Sequence, residues 1–151
     1  MTRLPVGVLT AVVLGTGCSQ LPGIGGNPAS PATAASPLPT LDAPIPTPAG
    51  FPAEVPIYPR SRLTAGASFA SGGLVTWGME WETTDDAGKV TAFFSKQLGA
   101  GGWTLTPSSQ SNGAVFAGSF SRNGNPGEKG TLAIASQSGV TTIALSLVTS
   151  G

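Results

Sequence analysis

The stretch from Thr83 to Leu105, TTDDAGKVTAFFSKQLGAGGWTL, constrains what this chain can fold into more than any other. Val90, Phe93, Phe94 and Leu98 fall at the i, i+3, i+4, i+8 spacing of one helix face, and Ala87 extends that face backwards. Lys89, Ser95, Lys96 and Gln97 fall on the other side. Thr84 or Asp85 is placed to cap the first turn, where Asp85 and Asp86 also complement the positive end of the helix dipole. Gly99, Gly101 and Gly102 stop the helix, because glycine takes the left-handed conformation of a helix end at little cost. Trp103 and Leu105 then resume strand alternation. One amphipathic helix of about three to four turns, entered from a strand and left into another, sets an architecture and says almost nothing about chemistry.

Strand signals flank it. Val75, Trp77, Met79 and Trp81 point one way, while Thr76, Gly78, Glu80 and Glu82 point the other, the pattern of a half-buried strand. Before it, Leu63, Ala65, Ala67 and Phe69 alternate as a first strand, and Ser71-Gly72-Gly73 is turn material. After the helix the expected strands are residues 103–105, 114–120, 131–136 and 140–149, the last with Ile143, Leu145 and Leu147 on one face. RNGNPGEKG, from Arg122 to Gly130, reads as a long hairpin loop and Ser138-Gly139 as a tight one. FPAEVPIYPRSR sets three prolines around Val55, Ile57 and Tyr58, an extended strap and no central strand. The expectation is an α+β fold over residues 51–151. It is a mainly antiparallel sheet of about five to six strands with one amphipathic helix packed on one face, in the order β-β-α-β-β-β-β. A length of that order buries a core without a covalent staple.

Composition narrows the function classes. Seven basic and seven acidic residues in 151 cancel, so there is no electrostatic footprint for nucleic acid and no polybasic patch for anionic lipid. The chain has no histidine, which removes the usual general base, zinc ligand and pH switch together. A single cysteine excludes an intramolecular disulfide, a CxxC redox pair and a cysteine metal cluster.

That cysteine, Cys18, closes the segment MTRLPVGVLTAVVLGTGCSQ. Arg3 provides a short basic start, Leu4 to Leu14 an apolar run too short to span a bilayer comfortably, and Gly15-Thr16-Gly17 a small-residue cleavage region. LGTGC resembles the lipobox of bacterial lipoproteins, with Leu14 one place further out than the family pattern has it. The resemblance implies that residues 1–17 are a signal peptide cut after Gly17, and that Cys18 becomes an N-terminus carrying a diacylglyceryl thioether and an N-linked fatty acyl chain such as palmitate. Two or three acyl chains, at about 0.8 kcal/mol per buried methylene, anchor stably where one does not. The expected location is extracytoplasmic, on the bacterial cell membrane.

From Cys18 to Gly50 the expectation is the lipidated cysteine followed by a disordered tether rich in Pro, Ala, Ser and Thr. Proline recurs throughout and Asp42 is its only charge, so no apolar period survives and too little apolar surface exists to offset the ordering entropy. Extended at about 3.1 Å per residue, such a spacer reaches roughly 100 Å. VPIYPRS, AFFSKQL and the Gly-Trp at Trp103 resemble a group of small, largely uncharacterised bacterial secreted proteins and lipoproteins with a VPxYP opening, a paired-aromatic helix and a Gly-Trp strand start. That resemblance implies the fold and transfers no activity.

No constellation of side chains carries a catalytic, cofactor or metal site. Glu80 and Glu82 share a strand face with Asp85 and Asp86 just beyond, but no calcium-type loop of alternating ligands surrounds them. Glu54 and Glu128 lie elsewhere in the chain, and nothing suggests the two-carboxylate cleft of a glycosidase. Without histidine a conventional serine triad is impossible, and Ser95 and Lys96, as neighbours on a helix, do not face each other. The glycines from Gly99 to Gly102 follow a helix where a phosphate cradle would precede one. Trp77, Trp81 and Trp103 read as core beside Phe93 and Phe94, with a stacking surface for a sugar or lipid tail as the alternative; Phe51 and Tyr58 are the better candidates for exposed contacts. The reading is therefore a non-catalytic, lipid-anchored extracytoplasmic binding or interaction module. Its partners are the membrane through Cys18 and a cell-envelope protein, glycan or lipid met by a sheet edge or loops. Against it stand a histidine-independent envelope enzyme and a glycan- or lipid-binding domain with an aromatic face.

Overall fold

The computed structural model describes residues 38–109 and 113–151. The expected signal segment, Cys18 and the expected tether as far as residue 37 lie outside the described residues. Six strands and one helix follow in the order β1 Arg62–Ser71, β2 Leu74–Thr83, α1 Ala87–Ala100, β3 Trp103–Pro107, β4 Phe116–Arg122, β5 Asn125–Gln137 and β6 Val140–Ser150. They form one sheet of spatial order β1-β2-β6-β5-β4-β3, antiparallel at every pairing. Strands β3 to β6 pair consecutively as a meander whose last strand docks on β2. Helix α1 is therefore the crossover that carries the chain from β2 to the far edge, and it lies over one face of the sheet.

That face and the helix enclose the core. Trp77, Met79 and Trp81 from β2, Ile143, Leu145 and Leu147 from β6, Leu132 and Ile134 from β5, and Phe120 and Trp103 beyond them are all buried. Ala87, Val90, Phe94 and Leu98 meet them from the helix. Phe93 is half-buried at the margin, edge-on to Tyr58 at 5.1 Å between ring centroids.

The helix start differs from expectation by a residue or two. Asp86 is the N-cap, its Oδ1 accepting from the Gly88 N–H at 2.8 Å, and no acid lies inside the first turn. Asp85 is held elsewhere: its N–H donates to Thr83 Oγ1 and its carboxylate accepts from Tyr58 and Arg60. At the other end, Gly102 takes the left-handed residue with φ of 79°.

Strand β1 does not keep the alternation expected of it. The register runs Leu63↔Trp81 and then Ala65↔Glu80, so a bulge at Thr64 reverses the facing of everything after it. Leu63 is buried, whereas Ala65, Ala67 and Phe69 lie on the opposite, outer face and Phe69 is 69% exposed. The inner positions of β1 go to Gly66 and Ser68. A methyl group on Gly66 would stand 3.2 Å from Pro48 Cγ and 3.3 Å from Met79 Sδ, so the preceding segment fills the space a side chain would occupy.

The long loop expected from Arg122 to Gly130 is likewise replaced. The turn is Asn123-Gly124, with Gly124 at φ of 81°, and β5 begins at Asn125. Pairing passes from Arg122↔Asn125 to Ser121↔Lys129, so Pro126, Gly127 and Glu128 form a bulge inside the strand. Glu128 turns back to accept from Ser150 Oγ at 3.0 Å.

Contacts with the sheet begin ahead of the boundary expected at Phe51. The Asp42 N–H donates to Glu82 Oε2 at 2.8 Å, and the Ile45 N–H donates to the Leu63 carbonyl at 2.8 Å on the edge of β1. The strap then crosses to the core face. Phe51 stands edge-on to Trp77 and Trp81, at 5.6 and 6.1 Å between centroids, and Val55 and Tyr58 are buried. The strap and α1 together cover the inner face.

Candidate transverse trough on the outer sheet face

Among the described residues no helix covers the outer face, and the strand register arranges its side chains in rows that run across the strands. One row is Phe69, Thr76, Val148, Lys129, Ser121 and Thr104. The next is Ala67, Gly78, Ser146, Thr131, Ser119 and Thr106, in which nothing is larger than threonine. The third is Ala65, Glu80, Ala144, Ala133 and Ala117. The middle row is bordered on one side by the longer side chains of Phe69, Val148 and Lys129 and on the other by Glu80 among alanines.

Three concavities share lining residues along it. One of about 380 Å³ takes in Thr106, Ser119, Thr131 and Ser146; a second of about 350 Å³ takes in Gly78, Thr131 and Ser146; a third of about 370 Å³ takes in Thr106, Ser119 and Thr131. At the usual strand spacing of about 4.8 Å, the distance from β2 to β3 gives the trough a length of about 19 Å. Hydroxyls from four strands line it, Lys129 stands on one rim and Glu80 on the other. Two glycines shape this half of the sheet from behind. Gly130 lets the Phe120 ring lie across it, and a methyl group on Gly118 would stand 2.9 Å from the Thr106 carbonyl oxygen.

A fourth concavity, of about 490 Å³, opens on the inner face beside the strap and is bordered by Glu54, Glu128, Trp77 and Thr149. Its carboxylates are already engaged. Arg122 Nη1 donates to Glu54 at 3.1 Å, Arg122 Nε lies 3.8 Å from Glu128, and the guanidinium sits 5.1 Å over the Trp103 ring. This set ties the strap to β4 and β5, a structural use of charge.

The residues singled out in the sequence fall as follows. Trp77, Trp81 and Trp103 are 4%, 3% and 2% exposed, so no aromatic platform opens to solvent. Phe51 and Tyr58, expected to make exposed contacts, do not: Phe51 is half-buried on two tryptophans and Tyr58 is 6% exposed, because the strap folds inward to complete the core. Burial raises the Tyr58 phenol above its ordinary value, and its hydrogen bond to the Asp85 carboxylate and that carboxylate's charge raise it further, with Arg60 acting the other way. Glu80 and Glu82 do share the outer face, but Asp85 and Asp86 turn to the strap and the helix cap; no three potential metal-ligating side chains converge among the described residues. Ser95 and Lys96 lie exposed on the helix. No helix among the described residues is long and apolar enough to cross a membrane. Cys18 is outside the described residues.

The trough itself was invisible in the sequence. Its residues are spaced along five strands, and only the pairing register brings them into one row.

A family model described as START domain-like matches residues 64–140, just over half of the chain. The chain belongs to the START domain-like family. The match takes in most of the β1–β2 hairpin, all of α1 and the meander as far as the start of β6, and so includes most of the trough-lining strands. No curated protein and no solved structure matches the chain.

Proposed function

We propose that this protein is a non-catalytic, lipid-anchored extracytoplasmic module that binds a lipid-like amphiphile in the outer-face trough. Its membership of the START domain-like family, whose members often bind lipids or small ligands, supports a binding role. The observation that carries the choice of site is the filling of the helix side. Trp77, Trp81, Phe94, Leu98 and Phe120 occupy the space between helix and sheet, whereas the other face is open and grooved. Serine and threonine hydroxyls along the floor suit the polar part of such a ligand, and Phe69 and Val148 in the neighbouring row suit its apolar part. A non-catalytic role is supported by the lack of any histidine and by the engagement of Glu54, Asp85 and Glu128 in pairs with Arg122 and Arg60.

The test is to purify the full chain from a lipoprotein-processing bacterium and identify the bound small molecules by mass spectrometry. The wild type and Lys96→Ala should retain the same ligand, and Ser119→Trp, which fills the trough, should lose it while melting as a folded protein. A ligand retained by Ser119→Trp would place binding elsewhere. Turnover of ester, glycan or phosphate substrates by the purified protein would overturn the non-catalytic reading.

A further inference from the structure

The trough differs at its two ends. Towards β3 it is lined by hydroxyls, those of Thr106, Ser119, Thr131 and Ser146 in the middle row and Ser121 beside them. Towards β1 the middle row ends in Gly78 and Ala67, which offer no polar side chain. The charges divide in the same sense. Lys129 is the one charged side chain that lines the hydroxyl-rich concavity of about 380 Å³. Glu80 stands at the other end, paired in register with Ala65 and Ala144.

The donors at the β3 end are not spent within the fold. Among the described residues no ion pair or hydrogen bond engages the Lys129 ammonium, and none engages the Ser119, Ser121, Thr131 or Ser146 hydroxyl. Thr104, on the same rim, differs: its hydroxyl donates to Asn123 Oδ1 at 2.6 Å. Glu128, next to Lys129 in the chain, is turned away, its carboxylate accepting from Ser150 Oγ at 3.0 Å and lying 3.8 Å from Arg122 Nε. A hydroxyl both donates and accepts, whereas an ammonium only donates. The set as a whole therefore complements an oxyanion, which takes the stronger, charge-assisted kind of hydrogen bond.

We infer that the trough takes an amphiphile with an anionic oxygen headgroup, carboxylate or phosphate, seated at Lys129 with its chain running towards Ala67. The inference rests on the trough reading proposed above and adds to it the charge of the headgroup and its direction. An anionic head at the opposite end would meet the Glu80 carboxylate. A cationic head beside Lys129 would be repelled, and a neutral one would leave the ammonium without a counter-charge. From Lys129 on β5 to Ala67 on β1 is three strand spacings, about 14 Å, within reach of an ordinary alkyl chain. One exposed ammonium matches one negative charge, so the preference is screened by salt.

Native mass spectrometry of the full chain, released from neutral detergent after incubation with equimolar dodecyl phosphate, dodecanol and dodecylammonium, tests this. The dodecyl phosphate adduct should exceed the dodecanol adduct by about tenfold, the worth of one charge-assisted hydrogen bond. Lys129→Gln should erase that preference and keep the dodecanol adduct, and Lys129→Glu should turn the preference to dodecylammonium. Lys96→Ala, on the helix, should change nothing, and Ser119→Trp should lose every adduct. A diazirine at the chain end of dodecyl phosphate should cross-link to β1 or β2. Equal adducts of the three probes that Ser119→Trp still removes overturn the headgroup inference and leave the trough reading intact. Adducts that survive Ser119→Trp remove both. A phosphate preference that persists in Lys129→Glu, or cross-links confined to β3 and β4, overturns the inference. So does inorganic phosphate that displaces dodecyl phosphate at equal concentration, since the site would then take a free anion and no amphiphile.

Discussion

Tyr58 Oη donates to Asp85 Oδ2 at 2.9 Å, joining the strap to the loop that launches the helix. The bond is partly buried, and the same carboxylate oxygen accepts from Arg60 Nη2 at 2.8 Å. Arg60 reaches it from a positive φ of 67°, after Pro59, in the turn closed by the Ser61 N–H on the Tyr58 carbonyl. The Tyr-Pro-Arg run of the strap is thus a clamp on the helix start.

The clamp predicts an alkaline limit. Burial and then Asp85 hold the Tyr58 phenol above its ordinary value of 10.0, so the folded state favours the protonated form. Its contribution is fully present below about pH 10 and is lost as pH rises through the higher folded value. Melting temperature should therefore fall above that pH, and Tyr58→Phe should flatten this fall at a cost at neutral pH of about 0.5–1.5 kcal/mol for the missing hydrogen bond. An unchanged alkaline slope in Tyr58→Phe would assign the limit to other groups.

Gly130 is required by a close approach. A methyl group there would stand 2.5 Å from Phe120 Cζ and collide with the Ser146 carbonyl. Gly130→Ala should cost about 1–3 kcal/mol by overpacking, measured by urea denaturation. Combining it with Phe120→Leu should give less than the sum of the two separate losses, because the substitutions share one space.

The helix face predicts a graded series. Leu98 is fully buried, so Leu98→Ala should cost about 2–5 kcal/mol. Phe93→Ala should cost less than Leu98→Ala, because its ring lies at the margin against Tyr58. Lys96→Ala, on the exposed side, should stay within about 0.5 kcal/mol. Equal losses at Leu98 and Lys96 would mean that the packed face is wrongly assigned.

Lipidation of Cys18 is tested by mass and by partition. Expressed in a lipoprotein-processing bacterium, the wild type should enter the detergent phase with the added mass of a diacylglyceryl group. Cys18→Ser should leave an unlipidated precursor. Identical soluble, unmodified species from both would remove the anchor.

Where a segment's neighbours in space are also its neighbours in sequence, the chain declared its own structure. The helix face of Val90, Phe94 and Leu98, the inward side of β2 at Trp77, Met79 and Trp81, and that of β6 at Ile143, Leu145 and Leu147 follow from period alone, since burial on one side selects apolar residues at that period. The one helix among the described residues, between β2 and β3, followed in the same way. Tertiary structure decided the rest. The bulge at Thr64 adds one residue to β1, which a strand pattern cannot record because its period of two survives on either side while the facing reverses. It puts Phe69 on the face opposite Leu63, exposed at the surface. Glycines that look like loop material, Gly127 and Gly130, sit in β5 because a bulge and the Phe120 ring need them there. Tyr58 and Phe51, with prolines on either side, looked like surface until the strap crossed the β1 edge and spent them on the core. The trough depends on register: Thr106, Ser119, Thr131 and Ser146 lie on four consecutive strands, and the hairpin signals that set those strands side by side do not record which residues will share a row.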